Sequence, residues 1–333
     1  MTGPLDFSPP DKRVPPVPAV LASPTTGERR RGTVPDGRVD RLVELVSTSR
    51  LRTTVEELAG LPTRHTFSTH IHRAADLIAA TFTAAGYDEV VKLPWIRNGR
   101  TADNVVCTKP ATGGGGRIVI LCAHYDCRME SLGNSSARAP GADDNASGVA
   151  AVLEIARLLH GVDLTETVQF VAFSGEEQGL WGSSAYADAL HVAGVDVHRV
   201  INLDMVGRPP EDGSVVVERD LGNLVAHNDA DSQAFGAVMA QAAADYTDLP
   251  VKLGPIYSSD YMPFEAKGYV AIGAYEGEGN PHYHATSDTP ESLDYENYLT
   301  PVTRLTLATV LCEWLDTSAG SRVDRAPGLA AQM

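Results

Sequence analysis

Strand-length apolar runs in this chain repeatedly end in a carboxylate or a histidine. Leu121-Cys122-Ala123 is followed by His124-Tyr125-Asp126. The run Val168 to Phe173 is followed by Ser174-Gly175-Glu176-Glu177. Val200-Ile201-Asn202-Leu203 ends in Asp204, and the run ending at Tyr275 leads to Pro281-His282-Tyr283-His284. Between the first two, Gly141-Ala142-Asp143-Asp144-Asn145 opens an apolar helix. Runs this apolar read as strands buried on both faces, and helical stretches separate them. The pattern predicts an α/β fold, three layers α/β/α around a central mixed, mostly parallel twisted sheet. Such sheets place their ligand sites beyond the carboxyl ends of the strands, where these polar residues fall.

The coarse layout follows from the same periodicities. Two helices are expected over 38–59. A third is expected over 69–85, with Gly86 as its terminating residue. Strands are expected at 104–108 and 117–123, joined through glycines 113–116, then at 167–173, 199–204, 214–218 and 270–275. Helices are expected at 146–160, 178–190, 231–246 and 297–317. Residues 1–37 are rich in proline and include Arg29-Arg30-Arg31, so they read as a flexible arm. Residues 318–333 read as a short flexible tail. That leaves 38–317 as one domain. No stretch of this sequence has the pattern of a signal peptide, so a cytoplasmic location is the expectation, with secretion the alternative.

Composition narrows the partners. Asp and Glu number 43 against 27 Lys and Arg, a formal charge of −16 over 333 residues. Such a surface repels phosphate backbones, so no nucleic-acid partner is expected. No apolar run approaches the roughly 20 residues of a membrane span, so no membrane partner is expected either. Four cysteines (Cys107, Cys122, Cys127 and Cys312) without a CxxC pair are expected to be reduced and mostly buried.

Two histidines among several carboxylates suit a borderline divalent cation, most often Zn²⁺. Five ligands exceed the needs of one tetrahedral ion. A pair of ions sharing a bridging carboxylate uses them, and leaves one Glu for a general base and one Asp to orient a His ligand.

In these blocks the chain resembles the co-catalytic di-zinc aminopeptidases, in the peptidase family that also contains glutaminyl cyclases and glutamate carboxypeptidase II. The resemblance spans roughly residues 40–317, with all the blocks in family order. It implies that His124 binds metal with Asp126 behind it, and that Asp144 bridges. It makes Glu176 the base and Glu177 a ligand, with Asp204 and His284 completing the set. Metal one would have His124, Asp144 and Asp204; metal two would have Asp144, Glu177 and His284. The resemblance also implies a cis Asp144–Asn145 bond and oxyanion support from Tyr283. Ser259-Asp260-Tyr261-Met262-Pro263-Phe264 matches a further family segment. The implied function is a metal-dependent exopeptidase acting on the N-terminal amide bond of a peptide or small amide.

Other residues carry weaker expectations. Glu276 is a candidate contact for a cationic substrate group, as is Glu278, and Arg208 for a carboxylate. Asp143 is expected to be solvated or behind the ligands, and Asp288 to orient the His284 loop or cap a turn. His65, His70 and His72 are expected on the surface, and His282 in a loop. The competing enzyme readings are an aminoacylase-type deacylase, a glutaminyl cyclase, and a specialised amidase trimming a modified peptide or natural-product precursor. The stretch between Asp204 and His284 is too short for the deacylases' lid domain. The cyclases lack the His and Asp that stand here as His124 and Asp204. A non-catalytic relative would have lost ligands, and none is lost here.

Overall fold

A computed structural model describes residues 37–317. The expected arm and tail therefore lie outside the described residues, apart from Gly37. The chain runs α1 (Arg38–Glu44), α2 (Thr48–Ala59), α3 (His70–Ala84), β1 (Val90–Arg97), β2 (Arg100–Lys109), β3 (Ile118–His124), α4 (Gly148–Leu159), β4 (Thr167–Phe173) and α5 (Trp181–Val192). It continues through β5 (Val197–Leu203), β6 (Val215–Arg219), α6 (Asp229–Tyr246), β7 (Val251–Pro255), α7 (Met262–Glu265), β8 (Ala271–Tyr275) and α8 (Thr300–Trp314). The strands form one eight-stranded sheet in the order β1-β2-β4-β3-β5-β8-β6-β7. The pairs β3–β4, β3–β5, β5–β8 and β6–β7 are parallel, and β1–β2, β2–β4 and β6–β8 antiparallel. The sheet is thus mixed and mostly parallel, as expected.

Side-chain alternation along the central strands feeds a core on each face. In β3, Val119, Leu121 and Ala123 join the larger core, beneath the helices α1–α4, α6 and α8. Ile120 and Cys122 of the same strand join a smaller one with Phe173, Ala187, Leu190 and Phe264, beneath α5 and α7. Burial on both faces is why these strands read as unbroken apolar runs. Helix α3 sends Ile71, Ala74, Ala75, Ile78 and Phe82 inward from one stripe. It ends at Gly86, whose φ of +101° and N–H bond back to Thr83 close the helix. The four glycines 113–116 all have positive φ and make the turn into β3.

Two strands were missing from the sequence reading. β1 sits at one sheet edge, mostly solvent-exposed and carrying Pro94, so it lacks the buried pattern. β7 is the other edge, five residues long with Gly254 and Pro255. All four cysteines are free thiols. Among the described residues no helix is long and apolar enough to cross a membrane.

Candidate metal centre

The carboxyl ends of four neighbouring strands, β4, β3, β5 and β8, open onto one spot. His124 is the last residue of β3, and Asp204 directly follows β5. Glu176 and Glu177 sit in the turn after β4, and the loop after β8 brings in His284. Asp144 comes from the turn that enters α4, and its bond to Asn145 is cis. His284 and Met205 both hold left-handed backbone, at φ +52° and +53°. Non-glycine residues rarely do so, and such conformations cluster at functional sites.

These residues form two triads with a shared member. Donor atoms of His124, Asp144 and Asp204 all lie within 4.8 Å of one another, and so do those of Asp144, Glu177 and His284. Asp144 turns one oxygen to each histidine. Its Oδ1 is 3.3 Å from His124 Nε2, and its Oδ2 is 3.1 Å from His284 Nε2. Asp204 Oδ1 is 3.2 Å from His124 Nε2, and Glu177 Oε2 is 2.9 Å from His284 Nε2. His124, Asp144, Glu177 and His284 are buried. Yet His284 Nε2 and Glu177 Oε1 have no hydrogen-bond partner of acceptable geometry. Buried polar atoms without partners are costly, and a cation among these converging donor atoms would satisfy them. The donor set of imidazoles and carboxylates fits zinc.

Electrostatics point the same way. Burial alone would depress His124, but the Asp204 and Glu176 carboxylates outweigh it and push the imidazole well above its usual value. Burial likewise opposes the shift at His284, and Glu177 and Asp144 carry it up to about 9. Burial acts to raise Asp144, yet the two histidines hold it well below the usual carboxylate range. The pocket therefore draws positive charge.

The backbone around the triads is pinned by residues behind them. Asp126 approaches His124 Nδ1 through its carbonyl oxygen at 3.1 Å, with its carboxylate 3.7 Å away. That carboxylate accepts instead from the backbone N–H of Glu176 and of Glu177, both at 3.2 Å, and from Thr66 Oγ1 at 3.0 Å. Asp126 thus orients the Glu pair as well as the histidine. Asp288 holds the backbone of the Asp144 turn rather than the His284 loop. Its carboxylate accepts from the N–H of Asp143 (2.8 Å) and of Asp144 (3.0 Å), and its carbonyl from that of Ala142 (3.2 Å). Ser259 donates to Asp204 Oδ2 at 2.6 Å.

Asp143 takes the second of its two expected places, fully buried behind the ligands, where it accepts from Gly207 N–H and Asn280 Nδ2, both at 2.8 Å. Other expectations are corrected. Glu276 is 3% exposed and faces Asp143 rather than the open cavity. Burial and that neighbouring carboxylate push it up to about 12. Its oxygens accept from Arg208 N–H and Asn280 Nδ2. His65 is buried, with Nε2 3.0 Å from the Leu132 carbonyl, whereas His72 is exposed and His70 half-buried. His282 is a loop residue, its Nδ1 2.9 Å from Ser287 Oγ. Arg208 reaches Asn280.

Two positions escaped the sequence reading. Arg64 is fully buried and donates to four carbonyls: Tyr125 (2.7 Å), Pro140 (2.5 Å), Gly141 (2.7 Å) and Leu58 (3.2 Å). It ties the loop after His124 to the turn before Asp144. Arg128 donates to Glu177 Oε2 at 2.8 Å. Nothing local in sequence marks either.

Beside the triads lies a cavity of about 330 Å³ whose lining includes Asp204, Glu218, Tyr257, Tyr261, Glu278 and Tyr283. The Tyr283 ring stacks on that of His284 at 3.6 Å between centroids.

Known proteins resemble the chain in sequence and in fold. A probable zinc metalloprotease of Pyricularia oryzae is 29% identical over 82% of this chain, a match that spans 63% of the relative's own length. LapB from Legionella pneumophila superposes with a TM-score of 0.72 at 24% identity, covering 84% of this chain and 76% of LapB. BSAP, a zinc aminopeptidase from Bacillus subtilis, superposes with a TM-score of 0.56 at 30% identity, over 67% of this chain and 52% of BSAP. Residues 104–309, which carry every member of both triads, match Peptidase family M28, and the chain belongs to that family.

Proposed function

We propose that this chain is a zinc-dependent aminopeptidase. In this reading one zinc is held by His124, Asp144 and Asp204 and a second by Asp144, Glu177 and His284. The observation that carries it is the shared Asp144 carboxylate, one oxygen toward each histidine, beside the unpartnered Glu177 Oε1 and His284 Nε2. When bound, zinc supplies Lewis-acid polarisation of the scissile carbonyl and acidifies a water. The rest of the chemistry falls to the chain's own side chains.

Glu176 is half-buried, and its backbone N–H is fixed by Asp126 Oδ1. It takes the proton of the attacking water and returns it to the leaving amine. Tyr283, on the cavity wall, donates its hydroxyl to the oxyanion of the tetrahedral intermediate. Asp126 holds the Glu176–Glu177 turn, so base and ligand keep one geometry. The substrate is a peptide or small amide with a free α-amine.

The test is a panel of aminoacyl p-nitroanilides beside their N-acetylated forms, with chelator and with zinc restored. Cleavage of free-amine substrates alone, lost with chelator and regained with zinc, supports the reading. Preference for the blocked substrates would favour the deacylase or amidase alternative and overturn it. Glu176→Gln should lose roughly 10²- to 10⁴-fold in kcat while binding zinc as before. Near wild-type kcat in that variant would remove Glu176 as the base.

A further inference from the structure

The turn that carries Glu176 and Glu177 is braced from a distant strand. Much of its backbone is bonded nearby. The Ser174 N–H donates to Asn104 Oδ1 at 3.3 Å, and the Ser174 carbonyl accepts from Gly182 N–H at 3.0 Å. The Gly175 carbonyl accepts from Trp181 N–H at 2.8 Å, and that of Glu176 from Gly179 and Leu180 at 2.8 and 2.9 Å. A further tie comes from β1. Trp95 is the buried residue of that edge strand, between Pro94 and Ile96, which face solvent. Its register partner on β2 is Ala102, whose methyl group leaves the indole room to cross towards the end of β4. The indole Nε1–H donates to Ser174 Oγ at 2.9 Å, and that hydroxyl donates to the Asp103 carbonyl, also at 2.9 Å. The ring closes on the next residue as well. Gly175 has φ +79°, and a Cβ there would meet Trp95 Cζ2 at 2.8 Å and Trp181 Cβ at 3.2 Å. The two indoles meet edge to face with centroids 5.7 Å apart, which locks the Trp95 ring in place.

We infer that Trp95 is a positioning residue for Glu176: through Ser174 and Gly175 it fixes the turn from which Glu176 reaches the attacking water. The inference rests on the aminopeptidase reading above, in which Glu176 is the base. Two supports then hold that turn. Asp126 accepts from the N–H groups of Glu176 and Glu177 and also touches His124. Trp95 holds the stretch just before, at Ser174 and Gly175, and comes from the opposite direction, the sheet edge. A base must stand within hydrogen-bond reach of the proton it takes, and a misplacement of about 1 Å costs on the order of 10²-fold in rate. Release of the Ser174 hydroxyl loosens the start of the turn while Asp126 still pins its middle. The shift of Glu176 is then smaller than that, and the expected loss is roughly 10-fold.

The test measures kcat and KM of the zinc-loaded enzyme on the free-amine p-nitroanilide it cleaves fastest. Hydrogen exchange at the amides of residues 174–177 gives a readout independent of turnover. Trp95→Phe keeps a ring beside Gly175 and removes the N–H. Ser174→Ala removes the acceptor, and the Asp103 carbonyl keeps the Tyr125 hydroxyl at 2.6 Å. Each variant should lower kcat roughly 10-fold with KM within about twofold, and quicken exchange at Glu176 and Glu177. The double variant should lose no more than the larger single loss, because both changes break the same bond. Ile96→Ala, at a solvent-facing position of β1, is the control and should leave kcat and exchange unchanged. An unchanged kcat in a folded Trp95→Phe variant overturns the inference and leaves the aminopeptidase reading standing. Losses that multiply in the double variant, or a loss confined to KM, overturn it as well. No cleavage of any free-amine anilide by the wild-type enzyme would instead overturn the aminopeptidase reading, and this inference with it. If Trp95→Phe does not fold, Ser174→Ala decides on the same criteria.

Discussion

Arg64 offers the sharpest test of how the site is held. Its guanidinium is fully buried and makes four hydrogen bonds to carbonyls, three of them (Tyr125, Pro140 and Gly141) in loops that carry the candidate ligands and the fourth (Leu58) in α2. Arg64→Met keeps much of the volume and leaves the Tyr125, Pro140, Gly141 and Leu58 carbonyls without that donor. Each lost bond is worth about 1–1.5 kcal/mol net. Against that, the variant no longer desolvates a charge. The balance is a loss of about 4 kcal/mol, a large part of a typical stability of about 5–15 kcal/mol. The assay is guanidinium unfolding of the zinc-loaded protein, read by two probes to check two-state behaviour. The midpoint should fall with little change in slope. Arg73→Met, at an exposed position of α3, is the control and should stay within about 0.5 kcal/mol. A loss under about 1 kcal/mol for Arg64→Met would refute the claim that this side chain fastens the two loops. Zinc affinity supplies a second reading, because Tyr125 lies between His124 and Asp126 and Gly141 lies three residues before Asp144. It should weaken along with the fold.

Two further outcomes are expected. Asp288→Asn sets an NH₂ against one of the two backbone N–H groups it now accepts; zinc affinity should fall roughly 10- to 100-fold in a chelator competition. Asp212 is paired with Lys252 at 2.6 Å and lowered to about 2, first by that bond and then by Ser214. A depressed carboxylate contributes above its unfolded value and loses that contribution as pH falls towards its folded value. The pair is solvent-exposed, so Asp212→Asn should cost under about 1 kcal/mol at pH 7 and next to nothing near pH 2, measured by urea unfolding at both.

What could be read in the sequence followed burial. Central strands β3, β4, β5 and β8 are covered on both faces, so their apolar runs and the polar residues after them were legible. β1 and β7 were not, because edge strands carry exposed side chains, Pro94, Gly254 and Pro255. Helix α5 begins at Trp181, after Gly179 and Leu180, both with positive φ, which pushes its start beyond the expected 178. The ligand candidates were legible because few residue types can serve as donors whatever surrounds them, and His, Asp and Glu stand at the strand ends. Their supports were not. Arg64 acts on carbonyls up to 77 residues away, and Asp288 on N–H groups about 145 residues away. A buried Arg has no local signature, since its partners are backbone atoms that every residue owns. His65 was misread for the same reason: its Nε2 lies against the Leu132 carbonyl, distant in sequence.

Asp126 links parts that are usually discussed separately. Its carbonyl steadies the His124 ring, and its two carboxylate oxygens steady the N–H groups of Glu176 and Glu177. A displacement of His124 is therefore passed, through one residue, to Glu176 and to the opposite triad. The two halves of the centre behave as a single geared part. Under the proposed two-zinc reading, exchanging zinc for a larger ion at one position would also move Glu176. The chain therefore has little freedom to reshape one triad while leaving the other, and Glu176, untouched.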